Sequence, residues 1–137
     1  MTPENSDYLS KKHPAILATI HFECGDGWVD LIDRLCCLLD QEMKNASYGK
    51  SEEDKINLQP VAAQVKEKFG GLRFYIDGGS DRMAGMISMA EHLSFIVCED
   101  CGNKGNKGNK RGKGWIFTKC ETCWHQHETC RLSQHKV

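Results

Sequence analysis

The sequence predicts an α+β protein: a small helix and β-hairpin body followed by a C-terminal zinc-ribbon-like module. Three observations carry this. Residues 28–43 repeat apolar side chains at helical spacing, residues 61–77 alternate at strand spacing around a glycine pair, and residues 98–123 hold two CxxC pairs. At 137 residues the chain fits one small domain with an appended module, long enough to bury a modest core without a metal.

The first 24 residues are weakly patterned. Pro14 ends any early helix, and Ile16, Leu17, Ile20 and Phe22 can form a short helix or a strand. CGDGW at 24–28 reads as a turn, with Asp26 placed to cap the helix that follows. From Trp28, residues Leu31, Ile32, Leu35, Cys36, Leu38, Leu39 and Met43 recur every three or four positions, so a helix is expected over about 27–44. Cys36 falls on that stripe and acts as a small buried hydrophobe, as does Cys24 near the turn. Residues 45–60 are polar, contain Gly49 and Pro60, and read as a solvated connection; the Glu52-Glu53-Asp54 cluster within them is most simply a solvated surface.

In VAAQVKEKFGGLRFYIDGG, Val61, Ala63 and Val65 alternate with more polar neighbours, and Leu72, Phe74 and Ile76 do so again. A hairpin over about 61–77 follows, with the two glycines of KEKFGG at positive φ in its turn. Arg73, Tyr75 and Asp77 then share the solvent-facing side of the second strand, unless they converge in a cleft as an enzyme's site. Ser80 and Asp81 cap a second helix over about 80–94, with Met83, Met86, Ile87, Ala90 and Leu93 on one side. The body thus spans 1–94, and the ribbon with its basic loop and tail spans 95–137.

Phe95-Ile96-Val97 leads into the first cysteine pair and Trp115-Ile116-Phe117 into the second, which predicts strand, knuckle, loop, strand, knuckle, with Trp115 in the ribbon core. Cys98 and Cys101 are separated by two residues, as are Cys120 and Cys123, and 18 residues lie between the pairs. A two-residue gap lets one tight turn present two thiolates to one ion, and two facing turns complete a tetrahedron. One structural Zn²⁺ on Cys98, Cys101, Cys120 and Cys123 is expected, with no coordination position left for catalytic water. His125, His127 and Cys130 can substitute for a ligand or form a second site; a short C-terminal helix accounts for them more simply.

The formal net charge of −1 divides unevenly, with ten Lys/Arg against fifteen Asp/Glu in residues 1–97 and eight against four in 98–137. Much of the basic excess lies in NKGNKGNKRGKG, residues 103–114, a near-threefold repeat expected to be mobile. Lys104, Lys107, Lys110, Arg111 and Lys113 can contact phosphates or a partner. They can equally keep a ribbon tip soluble and offset a zinc–tetrathiolate charge. No GxxxxGK[ST], GxSxG or HExxH motif occurs, so a non-enzymatic role is expected. No run of 18 apolar residues and no basic-then-apolar leader is present, which points to the cytoplasm and away from a membrane.

CGDGWVDLIDRLC (24–36), QVKEKFGGLRFYI (64–76) and the CEDCG…GWIFTKCETC pair together resemble a family of small, largely uncharacterised proteins of bacteriophages and prophages, over about residues 24–123. The resemblance implies a host-cytoplasm setting and an accessory protein with a zinc ribbon. By analogy with other small phage proteins, it also implies a host protein or nucleoprotein complex as partner, with inhibition of a defence system in the manner of anti-CRISPR proteins as one outcome. The long NKG loop departs from the pattern. The alternative function is a nucleic-acid-binding zinc ribbon using the basic 103–114 loop.

Overall fold

The computed structural model describes residues 1–108 and 114–134. Helix α1 (Pro3–Lys12) starts on Thr2, whose hydroxyl accepts from the Asn5 amide, with Pro3 in its first turn and Lys11 and Lys12 in its last. It stops before Pro14 because a residue preceding proline is pushed out of the helical region; His13 sits at φ −124° and ψ 58°. Pro14 then opens the short α2 (Pro14–Leu17), and Phe22 begins β1 (Phe22–Glu23). The weakly patterned N-terminus therefore holds two helices and a strand.

Asp26 does not cap the helix that follows it. A 3₁₀ turn over Asp26–Trp28 precedes α3 (Val29–Ala46), and the Asp26 carboxylate instead accepts from the Thr2 amide at 2.7 Å, serving the start of α1. Helix α3 buries Ile32, Leu35, Cys36 and Leu39, while Leu38 stays exposed at the margin of the stripe. The stretch read as a plain connection contains α4 (Glu52–Leu58), capped by the Ser51 hydroxyl at the Asp54 amide. None of its residues is buried, so no apolar stripe marked it.

Strands β2 (Val61–Lys68) and β3 (Gly71–Asp77) form the expected antiparallel hairpin, and β1 adds to β2 in parallel with Phe22 opposite Val65. A register shift between Ala62 and Gln64 moves the inward set to Ala62 and Val65, leaving Val61 and Ala63 outside. A bulge consumes one residue and reverses the alternation beyond it, which a strict two-residue period misses. The turn differs too. Lys68 pairs with Gly71, so the loop residues are Phe69 (φ 53°) and Gly70 (φ 78°), and not the two glycines. Gly71 is needed for space, since a Cβ there would lie 2.4 Å from the Phe95 ring. Holding Phe69 in the left-handed region costs about 1–2 kcal/mol.

Helix α5 (Asp81–Leu93), capped by Ser80, lays Met83, Ile87 and Ala90 against β3 and α3. Its C-terminal end covers the open edge of β3: the Ser94 hydroxyl accepts from the Leu72 amide at 2.8 Å and the Glu91 carboxylate from the Phe74 amide at 2.9 Å. One continuous core results, running from Leu9, Ile16 and Leu17 through Trp28, Ile32 and Leu39 to Val65, Phe74 and Met83.

A candidate metal centre braced by the body

The expected strand before the first cysteine pair is a 3₁₀ turn, Ser94–Ile96, and only Val97 makes a bridge, to Lys104. The ribbon's first strand follows the knuckle instead, as β4 (Asn106–Gly108), and pairs with β5 (Phe117–Lys119). Ser94–Ile96 cannot be a strand because the Ser94 hydroxyl, which donates to Glu91 and accepts from Leu72, holds that stretch to the end of α5. After the second pair comes α6 (Glu121–Gln134), which takes up the tail.

The four cysteines converge. The sulfurs of Cys98, Cys101, Cys120 and Cys123 all lie within 4.8 Å of one another, and those of Cys101 and Cys120 are 3.6 Å apart. Four sulfurs about 2.3 Å from a central ion stand about 3.8 Å apart at the edges of a tetrahedron, so the set has the dimensions to hold one metal ion. The first knuckle is closed by backbone: the Gly102 amide donates to the Cys98 carbonyl (2.9 Å), the Cys98 amide donates to the Asn103 carbonyl (2.7 Å), and Gly102 takes φ 78°. The second knuckle turns straight into α6, whose Trp124 amide donates to the Cys120 carbonyl at 3.0 Å.

The surroundings act on the thiols unequally. The Cys123 amide donates to the Cys120 sulfur and draws that thiol down to about 7, while burial, reinforced by the neighbouring thiols, pushes Cys123 up. Lys119, itself buried, is adjacent to Cys120 in the chain and pairs with Asp100 between the first two cysteines.

Residues Gly25–Trp28 grip this knuckle. The Gly27 amide donates to the Glu99 carbonyl at 2.7 Å, the Gly25 amide to the Glu99 carboxylate at 3.0 Å, and the Trp28 indole N–H to the Val97 carbonyl at 2.9 Å. A Cβ on Gly27 would lie 2.1 Å from the Cys98 carbonyl oxygen, so only glycine permits the approach. Glu99 is raised above the usual carboxylate range by burial, against the opposing Gly25 bond. On the other side, the Thr118 hydroxyl donates to the Gly70 carbonyl at 2.5 Å, which ties β5 to the hairpin turn. CGDGW, the FGG turn and CEDC are thus one packed junction.

The other expected site residues fall differently. Lys104 and Lys107 are exposed, with the Lys107 ammonium 4.0 Å from the centre of the Phe95 ring, whereas Lys110, Arg111 and Lys113 lie outside the described residues. Trp115, expected in the ribbon core, is exposed, because β5 begins only at Phe117 and the inward aromatic place is filled by Trp124 of α6. His125 pairs with Glu121 and the His127 ring packs on Phe117. Neither these nor Cys130 joins a metal-sized cluster among the described residues. Arg73 is half-buried and Tyr75 and Asp77 exposed, on the side of β3 opposite the buried Leu72 and Phe74.

One polar cluster has no sequence signal. Buried His13 sets Nε2 against Asp33 (2.7 Å) and Nδ1 against Asp40 (3.1 Å), and the Lys12 ammonium meets the other Asp33 oxygen at 2.8 Å. Cys37 lies close enough to complete a three-ligand set with His13 and Asp33, but the Asp33 carboxylate is already held by Lys12. The cluster fastens the α1–α2 corner to α3. Each pairing across it spans twenty or more residues, beyond any local pattern.

Among the described residues no helix is long and apolar enough to cross a membrane. Compared with protein-family models, curated proteins and solved structures, the chain matches none of them.

Proposed function

We propose that the chain is a zinc-binding accessory protein that acts by binding a macromolecular complex and not by catalysis. The observation that carries this is the closed set of four cysteine sulfurs, which gives one ion a complete protein shell and leaves no position for substrate or water. Among the described residues the remaining titratable clusters are internally paired, as His13, Asp33 and Lys12 are. Zinc is the metal proposed because all-thiolate tetrahedra on CxxC knuckles favour it, and its role is structural. The setting proposed, a phage or prophage protein in the host cytoplasm that occupies a host protein or nucleoprotein complex and inhibits a defence system, rests on the resemblance in residues 24–123.

Metal analysis of protein purified without added zinc should give about one zinc per chain. Affinity capture from bacterial lysate, with and without nuclease, should recover a partner that survives nuclease. Less than a tenth of an equivalent of metal would overturn the zinc reading, and no partner at any ionic strength would overturn the interaction reading. The alternative of nucleic-acid binding through Lys104, Lys107, Lys110, Arg111 and Lys113 predicts an affinity that falls steeply with salt, with a slope flattened when all five become serine.

A further inference from the structure

Phe69 sits at a place that glycine or asparagine fills at no strain, yet it holds φ 53° and leaves its ring 62% exposed. Burial does not offset the backbone strain, and strain of that kind gathers where a side chain is being displayed. Beside it Trp115 is 68% exposed, and the two line one cleft of about 220 Å³ with Lys68, Ile116, Gly114 and Glu67. Glu67 lines it as well, its carboxylate accepting from the Gly70 amide at 2.7 Å while keeping its charge.

The outer face of the hairpin continues the pattern. Lys66 and Lys68 fall two residues apart on one strand, hence on one face and about 6.6 Å apart along it. Lys66 stands opposite Arg73, its ammonium 6.0 Å from the centre of the exposed Tyr75 ring, and the Lys68 ammonium stands 5.6 Å from that of Phe69. Lys107 lies over Phe95 at the adjoining edge, where Gly71 abuts that ring. Exposed Glu23 stands opposite Lys66 and exposed Asp77 lies on the same side of β3, yet the rings interleaved with Lys66, Lys68 and Lys107 match a flexible polyanion whose flat groups can splay onto them. A neutral peptide has no use for the lysines, and an acidic peptide can pair with them but lacks the run of flat groups that the exposed rings can stack.

We propose that this face, centred on Phe69 and Trp115, binds single-stranded nucleic acid, with bases stacked on the two rings and phosphates on Lys66 and Lys68. The inference takes from the proposed function only that the chain is a binding protein, and it names a surface separate from the metal centre.

Binding of a fluorescein-labelled oligothymidylate of about 15 nucleotides, and of the matching oligouridylate, tests it by anisotropy at several salt concentrations. Trp28 and Trp124 are buried, so quenching of tryptophan emission on binding reports Trp115. Phe69→Asn relieves the backbone strain and therefore keeps the fold. Phe69→Asn and Trp115→Ala should each weaken binding at least about fivefold, one stacked base being worth about 1 kcal/mol or more. Lys66→Ser with Lys68→Ser should lower the salt slope by about 1.4. Duplex DNA should bind more weakly than the single strand. The proposal is overturned if the parent protein binds no oligonucleotide at low salt, or if both aromatic variants, folded and with unchanged metal content, bind as the parent does. It is overturned equally if a nuclease-resistant protein is captured by the parent and lost in both variants while oligonucleotides do not bind. In that last case the cleft docks protein, and the interaction reading stands without the nucleic acid.

Discussion

The body and the C-terminal module are held by different forces. Between α1 and α5, the buried positions are overwhelmingly apolar, from Leu9 to Ala90, and form one cluster. Among the described residues from Val97 onward, the buried side chains are Cys98, Thr118, Lys119, Cys123 and Trp124. Burying Leu or Phe contributes roughly 1.5–3 kcal/mol each, whereas converging thiols contribute little until an ion makes them ligands. A chain can therefore carry one region that folds on its own and one that needs a metal. The junction decides how far they depend on each other: here the CGDGW turn hydrogen-bonds directly to residues 97–99, inside the first knuckle.

Removing the metal should separate the two regions most sharply. Chelation, or Cys98→Ser, should abolish hydrogen-exchange protection over 97–130 and weaken it at Gly25–Trp28 as well, because their partners are lost. Protection in α3, α5 and the hairpin should survive; global unfolding on chelation would show that the body has no independent stability. Truncating the body core tests the other side. Phe74→Ala should cost about 3–5 kcal/mol in urea unfolding and leave metal stoichiometry unchanged, since Phe74 packs wholly within the apolar cluster.

Gly27→Ala probes the junction alone. The added methyl would meet the Cys98 carbonyl at 2.1 Å, and the expected loss is about 1–3 kcal/mol, with chelator-induced metal release faster than in the parent. Acid also protonates the cysteine ligands and releases the metal, so the body's own, smaller acid response is read on the metal-free protein. Burial pushes Asp33 up, but the Lys12 ammonium and the His13 ring outweigh it and hold the carboxyl below its usual range; the Thr2 amide draws Asp26 down in the same direction. A carboxyl lowered in the folded state stabilises above its unfolded value of about 4 and loses that contribution as pH falls through the folded value. Urea midpoints should therefore decline below about pH 4, and Asp33→Asn should flatten the decline. The smallest effect has the opposite sign: Phe69→Asn should raise stability by up to about 1 kcal/mol, measured by urea unfolding, as the strained turn gains a residue suited to it.

Features that repeat locally were legible in the chain. Seven apolar positions at helical spacing become α3, alternating residues become the hairpin strands, Ser80 caps α5, and two matched CxxC pairs become one cluster of four sulfurs. Each of these depends on side chains a few residues apart, where spacing alone carries the geometry. Local reading failed wherever a distant group took over. Asp26 looked like a cap for its own helix and serves α1, because the folded chain brings the Thr2 amide to it. The bulge after Ala62 reversed the alternation of β2, and Phe95, packed against Gly71, left the turn to Phe69 and Gly70. Trp115 was assigned to a ribbon core that Trp124, from a helix after the second cysteine pair, already occupies. Gly25 and Gly27 read as turn glycines, but their lack of a Cβ matters because residues 98 and 99 lie against them. Tertiary structure decided these points because excluded volume and hydrogen-bond satisfaction act between atoms near in space, some seventy residues apart in the chain here, where no spacing rule reaches.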